Sequence, residues 1–247
     1  MIYNYITESV SHNRKLLALL IDPDKCPPQR VELLAKLLKQ YPPHLLMVGG
    51  SLISTPIAPL VDYLKESLKQ PVILYPGNPA HLCANADALL FLSMISGRNA
   101  ELLIGHHIVA APFIKQHNIE AIATGYMLID GGSPTSVEYI SQTRPIPAEK
   151  PSIAVATALA GELLGLKMIY MDAGSGAKNC INPTTINLVR QSITVPLMIG
   201  GGIVSTQQLS DAYQAGADIV VVGNLFEKDP ALISSFLATA ESHKKGR

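Results

Sequence analysis

Cysteine is scarce in this chain, and what there is comes in the wrong number. Cys26, Cys83 and Cys180 are odd in count and far apart. That pattern excludes a disulfide framework and a paired-cysteine zinc site, and it suits a reducing, cytoplasmic setting. Net charge is absent too: 19 Lys and Arg balance 19 Asp and Glu, which argues against nucleic acid as a general partner. No apolar run reaches the roughly 18 residues a bilayer span needs. Residues 1–14 lack a signal-peptide core. No Gly/Ser linker, charge block or internal repeat divides the 247 residues, so a single domain over 1–247 is expected.

What is present is apolar. Hydrophobic residues make up 48% of the chain, and the mean hydropathy is +0.25. This implies either strands buried on both faces or apolar surface kept for a subunit contact or a greasy ligand. The first alternative has direct support. Short β-rich runs recur at 16–21, 45–48, 72–75, 88–92, 121–124, 168–171, 196–199 and 219–222. They are continuous rather than alternating, as parallel strands under helices should be. Helical patterns fall between them at 30–40, 56–67, 100–107, 152–164, 183–191, 206–215 and 230–242. Eight strands alternating with helices predict a (β/α)8 TIM barrel. Two stretches resist that pattern. Residues 77–87 leave room for two helical turns at most, and 125–150 is a long loop of the kind that often binds or covers a ligand.

Three glycine turns follow apolar runs late in the chain: Tyr170-Met171-Asp172-Ala173-Gly174-Ser175-Gly176, Gly200-Gly201-Gly202 and Gly223-Asn224. Glycine lets backbone approach an oxyanion because no Cβ intrudes, and a helix start such as Ser205-Thr206 favours an anion. The expectation is a phosphate site where the last three strands end. Tight turns alone are the simpler alternative. Asp22 follows the first strand and Ser51 the second. Asp22 suits Mg²⁺, which needs few protein oxygens when substrate phosphate supplies others. Asp22-Pro23-Asp24 equally suits a helix cap or Asx turn. Asp172 could accept a hydroxyl proton, hydrogen-bond a polyol, or pair with a cation. Tyr170 is a candidate ligand contact or a packing residue. His106 and His107 have no carboxylate or Cys at ligand spacing, so surface or capping roles are expected.

Taken together, these motifs resemble the geranylgeranylglyceryl phosphate synthase family, which includes bacterial heptaprenylglyceryl phosphate synthases. The family's usual segment, Tyr-Leu-Glu-Ala-Gly-Ser-Gly, corresponds to Tyr170–Gly176, with Gly201-Gly202 and Gly223-Asn224 at the family's spacing. Asp22-Pro23-Asp24 and Gly49-Gly50-Ser51 match its metal positions. Thr143-Arg144-Pro145-Ile146-Pro147 and Thr157–Glu162 resemble its second, often bacterial, branch. The resemblance implies a barrel modified around the third helix and Mg²⁺ near Asp22 and Ser51. It also implies sn-glycerol 1-phosphate held by Tyr170, Met171, Asp172, Ala173, Gly174, Ser175, Gly176, Gly201, Gly202, Gly223 and Asn224. Asp172 and Tyr170 become the catalytic candidates. The donor would be geranylgeranyl or another long prenyl diphosphate lying in an apolar groove, with at most peripheral membrane contact. Dimers or hexamers are implied as well.

Two residues depart from the family pattern. Asp172 replaces its Glu, which sets the carboxylate about 1.5 Å further back. Leu20 stands where one branch carries a lysine. Tryptophan is absent, so any groove stop is a smaller side chain or a loop. Another phosphate-binding barrel, an isomerase or lyase, would need a second acid/base pair at strand ends, and none is apparent. A non-catalytic barrel binding a lipid phosphate is the remaining alternative.

Overall fold

Apolar runs of this kind leave a strand only two places to put its side chains, and both are filled. In the computed structural model, which describes residues 1–243, the eight strands close into a parallel barrel in sequence order, β1 pairing with β8. They are β1 Leu16–Ile21, β2 Leu45–Gly50, β3 Val72–Pro76, β4 Ala88–Met94, β5 Glu120–Leu128, β6 Met168–Asp172, β7 Leu197–Gly200 and β8 Ile219–Val222. Alternate residues go inward and outward. Leu16, Met47, Ile73, Leu90, Ile122, Met168, Met198 and Ile219 fill the interior. Leu17, Val48, Leu74, Leu89, Ile169, Ile199 and Val220 meet the helices. Each fully buried Leu, Ile or Met contributes about 1.5–3 kcal/mol.

The outer layer comprises α2 Pro28–Gln40, α3 Ile57–Leu68, α4 His106–Gln116, α6 Pro151–Leu163, α7 Pro183–Ser192, α8 Thr206–Ala215 and α10 Ile233–Ser242. Short helices α5 Ser136–Ser141 and α9 Asn224–Lys228 sit in the loops after β5 and β8. An N-terminal helix, α1 Ile2–Ser11, has no counterpart in the apolar pattern read from the sequence. Its Ile6 is fully buried with the interior cluster, alongside Leu16 and Ile219. Its start is held by Glu120, whose carboxylate accepts from the N–H groups of Ile2 (2.6 Å) and Tyr3 (2.9 Å). Thus α1 closes the barrel at the strand beginnings and leaves the opposite end for chemistry.

The third helix is missing. Between β3 and β4 there is one short turn, Pro79–His81, so the outer face of β4 lacks the cover that its neighbours have. The 100–107 pattern is also not an ordinary helix start. Residues Glu101–Gly105 form a π-turn that runs into α4, widening the chain where it passes over β4. The long loop is shorter than expected, because β5 continues to Leu128 and Thr135 caps α5 by accepting from the Glu138 N–H.

Candidate active site

At the strand ends the three glycine turns meet. Gly174 (φ +89°) and Gly176 (φ +79°) follow β6, and Gly201 (φ +80°) and Gly202 (φ +70°) follow β7. All four occupy the left-handed region that glycine enters without steric cost. Space makes the same demand at Gly201. A Cβ there would lie 2.6 Å from the Gly174 nitrogen and 2.7 Å from Asp172 Oδ1. Hence the β6 and β7 turns touch backbone to backbone. The β8 turn is tied in by Asn224, whose Nδ2 donates to Ser175 Oγ at 2.9 Å.

The helix after the β7 turn starts where the sequence predicts, at Thr206 with Ser205 as its cap. Ser205 and Gln208 cap the start of α8 in a reciprocal capping box, which leaves the N–H groups of Thr206 and Gln207 without intrahelical partners. The start of α9 is different: Gly223 occupies its cap position and provides no side-chain cap. Its first N–H groups lack intrahelical partners, as at any helix start.

Beneath the cradle lies Asp172, the last residue of β6. Its carboxylate is buried, and three groups hold it. Tyr126 donates to Oδ2 at 2.7 Å, the Gly174 N–H donates to Oδ1 at 2.8 Å, and the neighbouring Tyr75 hydroxyl favours its charged form. Burial raises the Asp172 pKa, and these hydrogen bonds pull it part of the way back. Tyr170, Tyr126 and Tyr75 form an aromatic layer, with Tyr170 edge-on to Tyr126 (5.4 Å) and to Tyr75 (6.0 Å). Burial pushes all three phenols well above their usual pKa. Tyr170 sits in the barrel interior with its hydroxyl under Gly200. Met171 and Ala173 point into the layer between sheet and helices, so only their backbone can reach the cradle. Ser175 and Gly176 are exposed at its rim.

Asp22 acts as a cap. Its Oδ1 accepts from the Asp24 N–H at 3.1 Å and starts the turn Pro23–Lys25. Its Oδ2 lies 2.8 Å from the Lys25 ammonium, and Lys25 also donates to Asn224 Oδ1 at 3.4 Å. A chain of polar contacts therefore runs from Asp22 through Lys25 and Asn224 to Ser175. Asp24 lies in that turn, and its carboxylate accepts from the Ser54 and Thr55 N–H groups of the loop after β2; hydrogen bonding from the Thr55 side chain, and from these N–H groups, holds its carboxyl far below the usual range. Glu227 of α9 faces the same polar cluster, and burial raises its pKa.

Among the described residues, no three His, Cys, Asp or Glu side chains gather as a complete metal site. The residues nonetheless fit a Mg²⁺ held partly by substrate, for which one or two carboxylates are enough. Asp22 is half-buried beside Gly50, where even an added Cβ would stand 3.5 Å from its carboxylate. Its counterion Lys25 is exposed enough to move aside. Ser51 follows β2 and forms the polar lip of a cavity of ≈ 560 Å³. That cavity passes Tyr75, Tyr126 and Leu92 and reaches Phe91 and His107. His107 is therefore no surface residue: it is buried, its ring perpendicular to Phe91 at 4.4 Å.

Sequence reasoning missed Tyr126, Tyr75, Lys25 and Glu227. Tyr126 had a signal, since the register that pairs it with Tyr170 follows once β5 is extended beyond Thr124. Lys25 follows Asp22 by one short turn. Tyr75 and Glu227 come from remote segments, and nothing local marks them.

The comparisons bear out the resemblance drawn from the turns. The model of the PcrB family matches residues 9–240. The geranylgeranylglyceryl phosphate synthase of Spirosoma linguale is 46% identical over 221 residues, covering 89% of each chain. That of Chitinophaga pinensis is 46% identical over 239 residues, covering 94% of this chain and 92% of its own. Among solved structures, (S)-3-O-geranylgeranylglyceryl phosphate synthase from Thermoplasma acidophilum, in complex with its substrate sn-glycerol-1-phosphate, superposes with a TM-score of 0.91. It is 27% identical, with 100% of this chain and 99% of that chain covered. With its fold, its glycine turns and nearly its whole length accounted for, this chain belongs to the PcrB family.

Proposed function

We propose that this protein is a Mg²⁺-dependent prenyltransferase that joins a geranylgeranyl or similar long prenyl group to the C3 hydroxyl of sn-glycerol 1-phosphate. The observation that carries this reading is a juxtaposition. A glycine-lined anion cradle rests on one buried carboxylate, Asp172, whose hydrogen-bond partner Tyr126 lines a mainly apolar cavity. The synthase relatives and the neighbour in complex with sn-glycerol-1-phosphate support it.

In this reading the phosphate rests on the backbone of Gly174–Gly176, Gly201-Gly202 and Gly223-Asn224. The prenyl tail lies in the cavity beyond Ser51. Asp22 and Ser51 are the residues that would hold Mg²⁺, and the ion when bound supplies charge neutralisation for the departing diphosphate. The C3 oxygen of the glycerol attacks C1 of the prenyl group, the bond from C1 to the diphosphate oxygen breaks, and the hydroxyl proton passes to Asp172. Tyr126, Tyr75 and the Gly174 N–H orient that carboxylate. Fixing both reactants in one geometry offsets a large part of the barrier. The oligomer proposed with this activity would use the exposed Ile104, Ile108 and Val109 near and on α4.

The test is incubation with geranylgeranyl diphosphate, sn-glycerol 1-phosphate and Mg²⁺, with mass analysis of the lipid extract. An ether product is expected. No product with any prenyl length would overturn the reading.

A further inference from the structure

The ≈ 560 Å³ cavity has a neighbour. A second space of ≈ 490 Å³ runs as an open groove beside α4, lined by Ala111, Ile114, Lys115, Asn118, Ile119 and Ala121 together with Phe91. Phe91 also lines the first cavity, and it is the one lining residue that the two share. The strand alternation explains its position. Leu90 and Leu92 point into the barrel, whereas Leu89 and Phe91 point outward. They face the side where the missing third helix leaves β4 covered by the turn Pro79–His81, the π-turn Glu101–Gly105 and α4. The Phe91 ring stands between the two spaces, braced edge-on by His107. His107 is itself buried, with Nδ1 unpaired, and burial lowers its pKa, which favours the uncharged imidazole suited to an apolar wall.

We propose that Phe91, braced by His107, is the partition that sets the longest prenyl chain this protein accepts. With the ring in place, the tail ends against the Phe91–His107 pair. With the ring removed, the two spaces join and the tail continues along the groove beside α4. The walls beyond the partition suit a hydrocarbon: Ala111, Ile114, Ile119 and Ala121 supply apolar surface, with Lys115 and Asn118 among them. This inference rests on the prenyl-transfer reading for the identity of the tail, but its test does not require turnover.

The experiment measures binding of farnesyl, geranylgeranyl, hexaprenyl and heptaprenyl diphosphates by calorimetry to the full chain, comparing wild type with Phe91→Ala. In wild type, affinity should rise with length until the cavity is filled and then stop rising. In Phe91→Ala that break should move to a longer chain, with the next-longer donor bound at least about tenfold more tightly than by wild type. Adding Ala111→Phe to Phe91→Ala should refill the groove and return the break to its wild-type place. If Phe91→Ala does not fold, Phe91→Leu should show the same shift in smaller degree. A break at the same length in wild type and the folded variants would overturn the proposal. So would failure of every donor to bind wild type. Binding with a shifted break but no ether product would count against the reaction and leave the partition standing.

Discussion

Tyr126 on β5 donates its phenolic hydrogen bond to Oδ2 of Asp172 on β6, at 2.7 Å and out of contact with solvent. Burial raises the pKa of Asp172 and this bond lowers it, so Tyr126 helps to keep a buried carboxylate ionised and available as a base. Tyr126→Phe should therefore move the acid limb of the kcat profile to higher pH and cut turnover at neutral pH. Removing a hydrogen bond to a charged group costs about 1.5–3 kcal/mol. An acid limb that stays in place in Tyr126→Phe would show that Asp172 does not set it.

The same shift has a consequence for stability. Asp172 binds its proton more tightly folded than unfolded. Its contribution is fully present below the unfolded pKa and is lost as pH rises through the folded pKa. Asp172→Asn cannot ionise and escapes that loss. Denaturant titrations should show Asp172→Asn gaining on wild type as pH is raised from acid to neutral. A difference that is flat with pH would contradict the raised pKa.

Lys25 sits between Asp22 (2.8 Å) and Asn224 (3.4 Å), bridging the proposed metal position and the cradle. Lys25→Met should raise the KM for sn-glycerol 1-phosphate by about tenfold, the loss of one charge-assisted contact. It should also lower the Mg²⁺ concentration needed for half-maximal rate, because Asp22 loses its competing cation. Asp22→Ala should abolish activity together with its Mg²⁺ response. Steady-state titrations of both components check these outcomes.

Gly201→Ala places a methyl group 2.7 Å from Asp172 Oδ1, at a φ of +80°. Stability should fall by about 1–3 kcal/mol, and binding of sn-glycerol 1-phosphate should weaken as the β6 and β7 turns separate. Gly176→Ala is the informative control. It shares the positive φ but meets nothing within 4 Å, so its cost should be smaller. Chemical denaturation and calorimetry separate the two.

At the opposite end of the barrel, Glu120→Gln should weaken the anchoring of α1, since the Glu120 carboxylate accepts from two N–H groups at that helix start. A stability loss of about 0.5–2 kcal/mol is expected, with kcat unchanged. A change in kcat would mean that α1 reaches the chemistry through the barrel.

Much of this arrangement was legible in the chain. Runs such as 16–21 and 219–222 declare themselves as buried parallel strands, and their bounds agree with β1 and β8. Residues 77–87 were too short for a helix, and the missing third helix follows. The glycine turns were legible because a positive φ leaves a composition signal. What could not be read depends on tertiary contact. The polar side chains of α1 hide one buried face, and His107 looked polar until α4 pressed it against Phe91. The Tyr126–Asp172 bond needs the β5–β6 register, which no single segment carries.

The central claim is that Asp172 acts as the base over a bound glycerol phosphate. The most direct measurement is single-turnover transfer by Asp172→Asn, with the affinity for sn-glycerol 1-phosphate measured on the same preparation. Transfer slowed by about a hundredfold or more, with sn-glycerol 1-phosphate bound nearly as tightly as by wild type, is the outcome expected. Transfer at the wild-type rate would contradict it and remove Asp172 from the mechanism.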